Sequence, residues 1–448
     1  MRNIQRVLAC LLCLLLCMGA AGAEEGDLGY QDAHRFTLDY QETKRYDGAL
    51  TKLWYIETAN ETVTAELNAI AQAYADELTP TLKRPQSSVS RLTVSIIPSR
   101  TGLTWMSFMV QARNVFEEHT EDVAFTTRTY DMVTGERVLL TDVFPADSEA
   151  WDVLETAVRE GVAAYWPDVA PDAAALEAAC TREAIEQMDF TLRGASLVLH
   201  LNAADFYDGK HQLLEIPLYY PQIRQYMSEK AAVETDNQSY YKMVALTFDD
   251  GPNGWATGQV LDVLIRTGTP ATFFLVGDRI TQQAYLVQRE HDEGHAIASH
   301  CYEHIYANVA PMSQLKVQRE KADKVHIAAI GQAPRYARAP GGFWKGLAEA
   351  EQGWPLIQWS VQAEDWRGES GPDPRETSGN IVAGTDNGGI ILLHDVMRNT
   401  TEATRLIVER LWDEGYMFVT VDELFAREGV TLEGDQGYYR CIDGYTGE

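Results

Sequence analysis

VALTFDDGP, at residues 244–252, is a short apolar run that ends in two adjacent carboxylates and a Gly-Pro turn. Apolar runs of this length are typical of buried strands, and Gly-Pro ends a strand. Asp249 and Asp250 repel each other unless a cation or an arginine lies between them. Taken alone, the stretch is more typical of an acidic surface turn, so its role depends on the rest of the chain.

Around this stretch, predicted strands and helices alternate. Strands are expected at residues 244–248 and 271–276, and helices near 258–266 and 282–293, with the alternation continuing to Phe418. Such alternation indicates a parallel sheet, closed or open, with catalytic residues at the carboxyl ends of its strands. We therefore predict a domain at residues 241–428, followed by a C-terminal tail at 429–448.

The first half of the chain has a different organisation. Residues 61–82 and 150–164 have helical spacing, whereas 92–96, 103–110 and 123–130 alternate as strands do. Because these elements cluster without strict alternation, we predict an α+β accessory region at 24–228 that could divide near residue 88. The polar segment at 229–240 is the predicted linker to the second half.

The N-terminus has the layout of a secretory signal peptide. Arg2 and Arg6 precede an apolar run at residues 7–18, and Ala-Gly-Ala at 21–23 offers a cleavage site. The run is too short for a comfortable membrane span. We expect cleavage after Ala23 and a protein outside the cell, in solution or at the cell wall.

Composition limits the partners of the protein. A formal charge of −29 disfavours nucleic acid and anionic membranes, while 45% hydrophobic residues can fill a sizeable core. Removal of the signal peptide leaves Cys180, Cys301 and Cys441, which allow at most one internal disulfide. A Cys180–Cys441 bond is conceivable, but the fold must depend on its core.

Polar side chains recur at predicted strand ends in the second half. His300 and His304 are four residues apart, so their imidazoles share one face of a helix or tight turn. This spacing alone is a weak signal of a metal site. Together with an aspartate from an earlier strand, it indicates an Asp-His-His site that leaves positions open for water and substrate.

Three more segments add to this pattern. Arg338 precedes a Pro-Gly-Gly turn, Asp365 and Trp366 follow a predicted strand, and His394 ends the apolar run at residues 390–393. Each residue considered alone could be structural. Their occurrence together at strand ends of one alternating domain is hard to explain by packing.

Residues of about 240–425 resemble the polysaccharide deacetylase domain, also called the NodB-homology domain or carbohydrate esterase family four. The matching segments are TFDDGP at 247–252, ATFFLVG at 271–277, Gly294-His295, His300 to His304, RAPG at 338–341, Asp365-Trp366 and LLH at 392–394. The family's motifs occur in order across the whole domain. The resemblance implies a distorted, incomplete (β/α) barrel.

The resemblance also implies a divalent metal site. Asp250, His300 and His304 would hold the ion, for which zinc is favoured. The metal would bind the amide carbonyl oxygen and a water molecule, polarising the carbonyl and acidifying the water. Asp249 would be the general base, held in place by Arg338 and biased by it toward the ionised form.

The remaining roles concern the leaving group and the acetyl pocket. His394 would protonate the departing amine, and Asp365 would orient His394 and stabilise its charge. The backbone N–H of Gly341 would bind the tetrahedral oxyanion. Trp366 and Leu392 would shape the acetyl pocket.

The chain departs from the family pattern at three positions, which bear on substrate preference and rate. Cys301 stands where the family has serine or threonine, and its thiol could itself act as a soft metal ligand. Gln362 replaces an aspartate of the fourth motif. Gly341 replaces the usual tyrosine, which removes a side chain and keeps the N–H.

The first half resembles, more weakly, the α+β domains that precede such deacetylases in some bacterial cell-wall enzymes. The likeness depends on TYDMVTGE at residues 129–136 and LTDVF at 140–144. Because no catalytic set is visible in this region, we expect a structural or wall-facing spacer.

Together these features predict an exported, metal-dependent hydrolase of carbon–nitrogen bonds other than peptide bonds. It would remove N-acetyl groups from amino sugars of a bacterial surface polysaccharide, with peptidoglycan favoured. We expect a monomer whose partner is its acetylated polysaccharide substrate. Two alternatives remain open: an O-acetyl esterase of the xylan type with the same site, and a catalytically silent glycan-binding module.

Overall fold

The computed structural model of the chain describes residues 32–83, 90–116, 119–368, 371–442 and 444–447. The predicted signal peptide at residues 1–23 lies outside these ranges. Over the residues that the structure describes, no helix has both the length and the apolar character needed to cross a membrane.

The accessory region begins with a mixed six-stranded sheet of order β1-β2-β3-β4-β5-β6. Its strands are β1 Phe36–Lys44, β2 Leu50–Thr58, β3 Ser90–Arg100, β4 Trp105–Phe116, β5 His119–Asp131 and β6 Arg137–Val138. Between β2 and β3 lies helix Glu61–Leu78, which is capped by the Asn60 side chain and buries Val63, Leu67 and Ala71 on one face. Because β2 pairs with β3 in parallel, one sheet spans position 88, and the expected division there is not observed.

A second, antiparallel sheet follows in the order β7-β8-β9. Its strands are β7 Asp189–Leu192, β8 Ser196–Asn202 and β9 Leu213–Tyr219. The helices of this part are Leu140–Val143, Ala150–Ala164, Ala173–Ala179, Arg182–Glu186, Tyr220–Ile223, Glu229–Glu234 and Asn237–Tyr240. Helix Ala150–Ala164 buries Leu154, Val158 and Val162 at a spacing of four residues. The predicted α+β class of the accessory region is confirmed.

The segment predicted as a linker, residues 229–240, is helical and packed. The buried carboxylate of Glu234 accepts hydrogen bonds from the backbone N–H groups of residues 103–105. The side chain of Asn237 bonds to the backbone of Gly102 and of Gly194. Polar residues of the segment 229–240 therefore satisfy buried backbone groups beside both accessory sheets. The prediction of an exposed linker was wrong because it took polar composition as a sign of exposure.

The second half is a parallel sheet of order β12-β11-β10-β15-β14, with β16 paired to the first half of β10. Its strands are β10 Lys242–Asp249, β11 Thr272–Leu275, β12 Ala296–Ser299, β13 Leu356–Ile357, β14 Val361–Gln362, β15 Gly389–His394, β16 Tyr416–Val419 and β17 Gly437–Tyr438. Bridges through Ala337 join β12 to β13, and β13 pairs with β17 from the predicted tail. The described strands are parallel, alternate with helices and extend through Ala337 to β13 without closing, which confirms the predicted incomplete (β/α) barrel.

Helices surround this barrel, and the last of them, Val421–Ala426, packs against its interior cluster. They are Thr257–Thr267, Gly277–Ile280, Ala284–Asp292, Met312–Leu315, Gln318–Ile330, Trp344–Ala348, Pro374–Gly384, Thr400–Asp413 and Val421–Ala426. Along β10, Val244, Leu246 and Phe248 pack against the outer helices, whereas Met243 and Ala245 face the interior. Burial on both faces explains why the strand is a continuous apolar run.

The accessory region packs against the amino-terminal end of the barrel. Arg113 of β4 forms a buried ion pair of 2.6 Å with Asp292, at the end of a helix that leads into β12. Lys52 of β2 pairs with Asp262 at 2.7 Å, and Ser196 donates to Glu423 at 2.7 Å. Arg100 of β3 also donates to the carbonyl of Gly268, between helix Thr257–Thr267 and β11. Because Asp292 and Gly268 lie where a helix ends and the next strand begins, the accessory region contacts the end of the barrel opposite the carboxyl ends of its strands.

Cys180, Cys301 and Cys441 are buried free thiols. The conceivable disulfide between Cys180 and Cys441 is therefore not formed, and hydrophobic clusters hold the two halves of the chain together. Ile265 of the barrel, for example, is part of the core of the first accessory sheet.

Candidate active site

Five sequence-predicted site residues lie at one edge of the barrel. Asp249 ends β10 and His394 ends β15, and the two are direct register partners on adjacent parallel strands. His300 follows the last residue of β12, and Arg338 follows Ala337, which bridges to that same residue. Asp250 comes directly after β10. The carboxyl ends of parallel strands thus bring together residues far apart in the sequence.

Asp250, His300 and His304 form a compact group whose ligand atoms all lie within 4.8 Å of one another. Oδ1 of Asp250 is 3.2 Å from Nε2 of His304 and 3.6 Å from Nε2 of His300. Nδ1 of His300 donates to the carbonyl of Arg338 at 2.9 Å, so Nε2 presents its lone pair to the aspartate side. Burial lowers the pKa of His300 to about 3, which keeps the ring neutral.

The chemistry of this group fits a divalent metal ion. Oδ1 of Asp250 is buried and has no hydrogen-bond partner among the described residues, which is costly unless a cation balances it. One carboxylate oxygen and two imidazole nitrogens suit zinc and similar ions, and three ligands leave room for water and substrate. The three residues therefore fit a divalent ion of the hydrolytic kind, with positions left for water and substrate.

Cys301 does not join the metal group. The thiol is buried in an apolar cluster with residues such as Ala307 and Leu315, and burial raises its pKa to about 12. Among the described residues, the ligand atoms that come together are those of Asp250, His300 and His304, without the Cys301 sulfur, so the structure does not support a soft sulfur ligand. Its φ of 63°, unusual for a residue with a side chain, belongs to the turn that presents both histidines.

Asp249 and Arg338 form a buried ion pair. Nη1 of Arg338 donates to Oδ1 of Asp249 at 2.8 Å and to Oγ1 of Thr247 at 2.8 Å. Nη2 donates to the carbonyl of Gln358 at 2.9 Å, so the guanidinium is fixed by several partners. Burial raises the pKa of Asp249, and the charges of Arg338 and His394 oppose that rise. Arg338 thus acts in the predicted direction, although burial outweighs it.

His394 is oriented by Asp365. Oδ1 of Asp365 accepts from Nδ1 of His394 at 2.8 Å, and Oδ2 accepts from the backbone N–H of His394 and from Oγ1 of Thr400. Burial alone would lower the pKa of His394, but the hydrogen bond and charge of Asp365 outweigh it and raise the pKa to about 9. The ring is therefore protonated at neutral pH, with Nε2 left for a substrate.

The three residues expected to touch substrate lie at different depths. Gly341 has a φ of 66° in the turn Pro340–Gly342. Leu392 is buried on β15, two residues before His394 and on the same face of the strand. Trp366 is 51% exposed at the surface. The structure thus places Leu392 in the interior and Trp366 on the rim.

Sequence reasoning missed the residues that hold this site. Thr247 carries a signal in the sequence, because it is a polar residue within the apolar run at 244–248. Thr400 gave no signal, because its role depends on the start of a helix that packs beside Asp365. Gln362, the departure in the fourth motif, is exposed on β14.

Comparison with known proteins identifies relatives of this chain. Residues 236–352 match the family model described as polysaccharide deacetylase. The peptidoglycan-N-acetylglucosamine deacetylase PgdA of Listeria monocytogenes is 29% identical over 315 residues, which are 70% of this chain and 66% of that protein. A peptidoglycan-N-acetylglucosamine deacetylase of Bacillus cereus is 35% identical over 192 residues, 41% of this chain and 88% of that protein.

Among solved structures, the peptidoglycan deacetylase PdaC of Bacillus subtilis aligns with 28% identity and a TM-score of 0.39, over 42% of this chain and 92% of that one. The chain spans just under two thirds of the Listeria protein and most of the Bacillus cereus protein.

Peptidoglycan-N-acetylglucosamine deacetylases are hydrolases of carbon–nitrogen bonds, the class that the sequence predicted. On the strength of the family model and the Bacillus cereus relative, this chain belongs to the polysaccharide deacetylase family.

Proposed function

We propose that this protein is an exported, metal-dependent deacetylase that hydrolyses N-acetyl groups of amino sugars in a bacterial cell-wall polysaccharide. The register pairing of Asp249 and His394 supports this most directly. Each of the two is held by a buried partner of opposite charge, and both border the Asp250, His300 and His304 group. A base and an acid in this arrangement suit amide hydrolysis.

Asp250, His300 and His304 would hold the ion, with zinc favoured by the mixed nitrogen and oxygen donors. When bound, the ion would polarise the amide carbonyl and acidify a water molecule. Asp249 accepts the proton of the attacking water, and Arg338 fixes its carboxylate. The N–H of Gly341 donates to the oxyanion that develops on the carbonyl oxygen.

His394 completes the reaction as general acid. Nε2 gives its proton to the sugar nitrogen as the carbon–nitrogen bond breaks, so the amine and acetate leave after one water is consumed. Asp365 holds Nδ1 at 2.8 Å and stabilises the imidazolium before transfer. Leu392 and Trp366 are proposed to bound the acetyl group from the interior and from the rim.

Peptidoglycan is the proposed substrate because both quoted relatives carry that name and the N-terminus has signal-peptide character. We propose residues 24–228 as the accessory region and 241–428 as the catalytic domain. The helical segment 229–240 connects them, and the tail at 429–448 contributes β17.

Acetate release from N-acetylglucosamine oligomers and from peptidoglycan, by the purified zinc-loaded protein, tests this function. We expect release that is lost with a chelator and falls at least about 1000-fold in Asp249→Asn, which removes the base. No release from either substrate by the zinc-loaded protein would contradict N-deacetylation. Acetate release from O-acetylated xylan tests the alternative esterase activity. Because an ester needs less help from a general acid, His394→Ala should retain more activity on the ester than on the amide.

The metal site is tested by elemental analysis of purified variants. We expect His304→Ala to lose most bound zinc, because it removes one of three protein ligands. His211→Ala is the matched control, since this partly exposed histidine lies in the accessory region. Equal zinc content in both variants would show that the ion binds elsewhere.

A further inference from the structure

Gly341, the departure from the family's third motif, lies against two aromatic rings. A Cβ atom at this position would be 2.8 Å from Cε1 of Tyr306 and 2.9 Å from Cε2 of Phe343. These distances are shorter than van der Waals contact, so the rings occupy the space next to the glycine that a side chain would need. The rings of Tyr306 and Phe343 therefore fill the space beside Gly341.

Tyr306 connects this space to the metal group. Its ring packs edge-on against His304, with centroids 5.4 Å apart and an interplanar angle of 82°. It packs in the same manner against Phe343, at 5.8 Å and 88°. Tyr306 thus touches a proposed metal ligand on one side and the peptide of the proposed oxyanion donor on the other.

The rings of Tyr306 and Phe343 are both partly exposed to solvent. Tyr306 is 47% exposed and Phe343 is 39% exposed. Exposed aromatic surface beside a polar site is typical of ligand contact, because the ring offers a large apolar area with little conformational entropy to lose. The apolar C–H face of a pyranose ring is complementary to such a surface.

We propose that Tyr306 and Phe343 form an aromatic wall that contacts the sugar ring carrying the acetyl group. The two rings take the space beside Gly341 and bind the apolar face of the pyranose ring at this subsite. This assignment rests on the proposed function. An acetyl carbonyl at the N–H of Gly341 brings its sugar ring alongside residues 306 and 343, because they border that peptide.

Binding of N-acetylglucosamine oligomers by titration calorimetry tests the wall without turnover. The zinc-loaded Asp249→Asn protein serves as background, because it keeps the substrate intact. We expect Tyr306→Ala and Phe343→Ala each to raise Kd about tenfold, the loss of one aromatic contact. Tyr306→Phe, which keeps the ring, should restore most of the affinity. Tyr46→Ala is the control, since this accessory-region tyrosine is fully exposed.

In the Asp249-containing enzyme, the same changes should raise KM for acetate release about tenfold with a smaller effect on kcat. Zinc content is measured on every sample. The proposal is overturned if the Kd of both alanine variants lies within twofold of that of Tyr46→Ala. It is also overturned if Tyr306→Ala loses zinc, because the effect would then be due to His304. If the alanine variants raise Kd but the wild type releases no acetate, the aromatic wall is supported and the proposed deacetylase activity is rejected.

Discussion

At the scale of single residues, Gly341 can be tested by stability as well as by binding. Gly341→Ala adds a Cβ to a backbone with φ of 66° and forces it against Tyr306 and Phe343. We expect the left-handed backbone to cost about 1 kcal/mol and the overlap about 1–3 kcal/mol more in free energy of unfolding. Chemical denaturation followed by tryptophan fluorescence measures both together.

Gly209→Ala separates these two contributions. Gly209 has a φ of 68°, and a Cβ there would meet nothing within 4 Å. The variant should therefore show the backbone cost alone, about 1 kcal/mol. If Gly341→Ala destabilises the protein no more than Gly209→Ala does, the two aromatic rings do not fill the space beside residue 341.

Single residues also show what the sequence could and could not predict about the site. Asp249 and His394 were predictable, because a charged group that ends an apolar strand must have a partner or a function. Tyr306 was not, since its contact with Gly341 joins two loops through folding of the barrel edge. The buried, protonated state of Cys301 was likewise invisible, because it depends on the apolar cluster around the thiol.

At the scale of elements, the loop after β14 places Asp365 against the end of β15 and so sets the protonation of His394, the proposed general acid. Asp365 raises the pKa of His394 to about 9 from an ordinary value of 6.5. A general acid must be protonated, so activity falls as pH rises through that pKa. Asp365→Asn removes the two largest causes that raise this pKa and leaves burial opposed only by the charges of Asp249 and Asp250, so we expect the alkaline limb of kcat/KM to move down from about pH 9.

The pH profile of acetate release from pH 5 to pH 10 measures this shift. Glu364→Gln is the matched control, because it removes the neighbouring carboxylate, which pairs with Arg367 on the surface. Its alkaline limb should coincide with that of the wild type. An unchanged limb in Asp365→Asn would mean that another group is the acid.

The elements themselves were predictable to different degrees. Helix Ala150–Ala164 has its predicted limits, and the parallel sheet follows from strands that are apolar on both faces. The accessory sheet order was not predictable, because the pairing of β2 with β3 depends on how helix Glu61–Leu78 packs across them. The helices of the predicted linker were missed for the same reason, as Glu234 and Asn237 find their partners only in the folded chain.

At the scale of the whole molecule, the accessory region supports the barrel from the end opposite the proposed active site. The turn between β7 and β8 brings Gly194 against β16, where a Cβ would be 2.6 Å from Cγ1 of Val419 and 3.2 Å from Sδ of Met417. Val419 belongs to the core cluster inside the barrel. The two halves therefore pack against each other, and their contact lies at the end of the barrel opposite the proposed active site.

Gly194→Ala tests this division of roles. The added methyl group overlaps Val419, so we expect a lower Tm and a loss of about 1–3 kcal/mol. Acetate release per folded molecule at 25 °C should stay at the wild-type value, because Gly194 lies away from the proposed active site.

Gly379→Ala is the control, for which we expect a higher free energy of unfolding. A Cβ there meets nothing within 4 Å, and alanine stabilises its helix by about 0.5–1 kcal/mol. Reduced turnover in Gly194→Ala without a change in Tm would show instead that the accessory region acts on the site through the barrel.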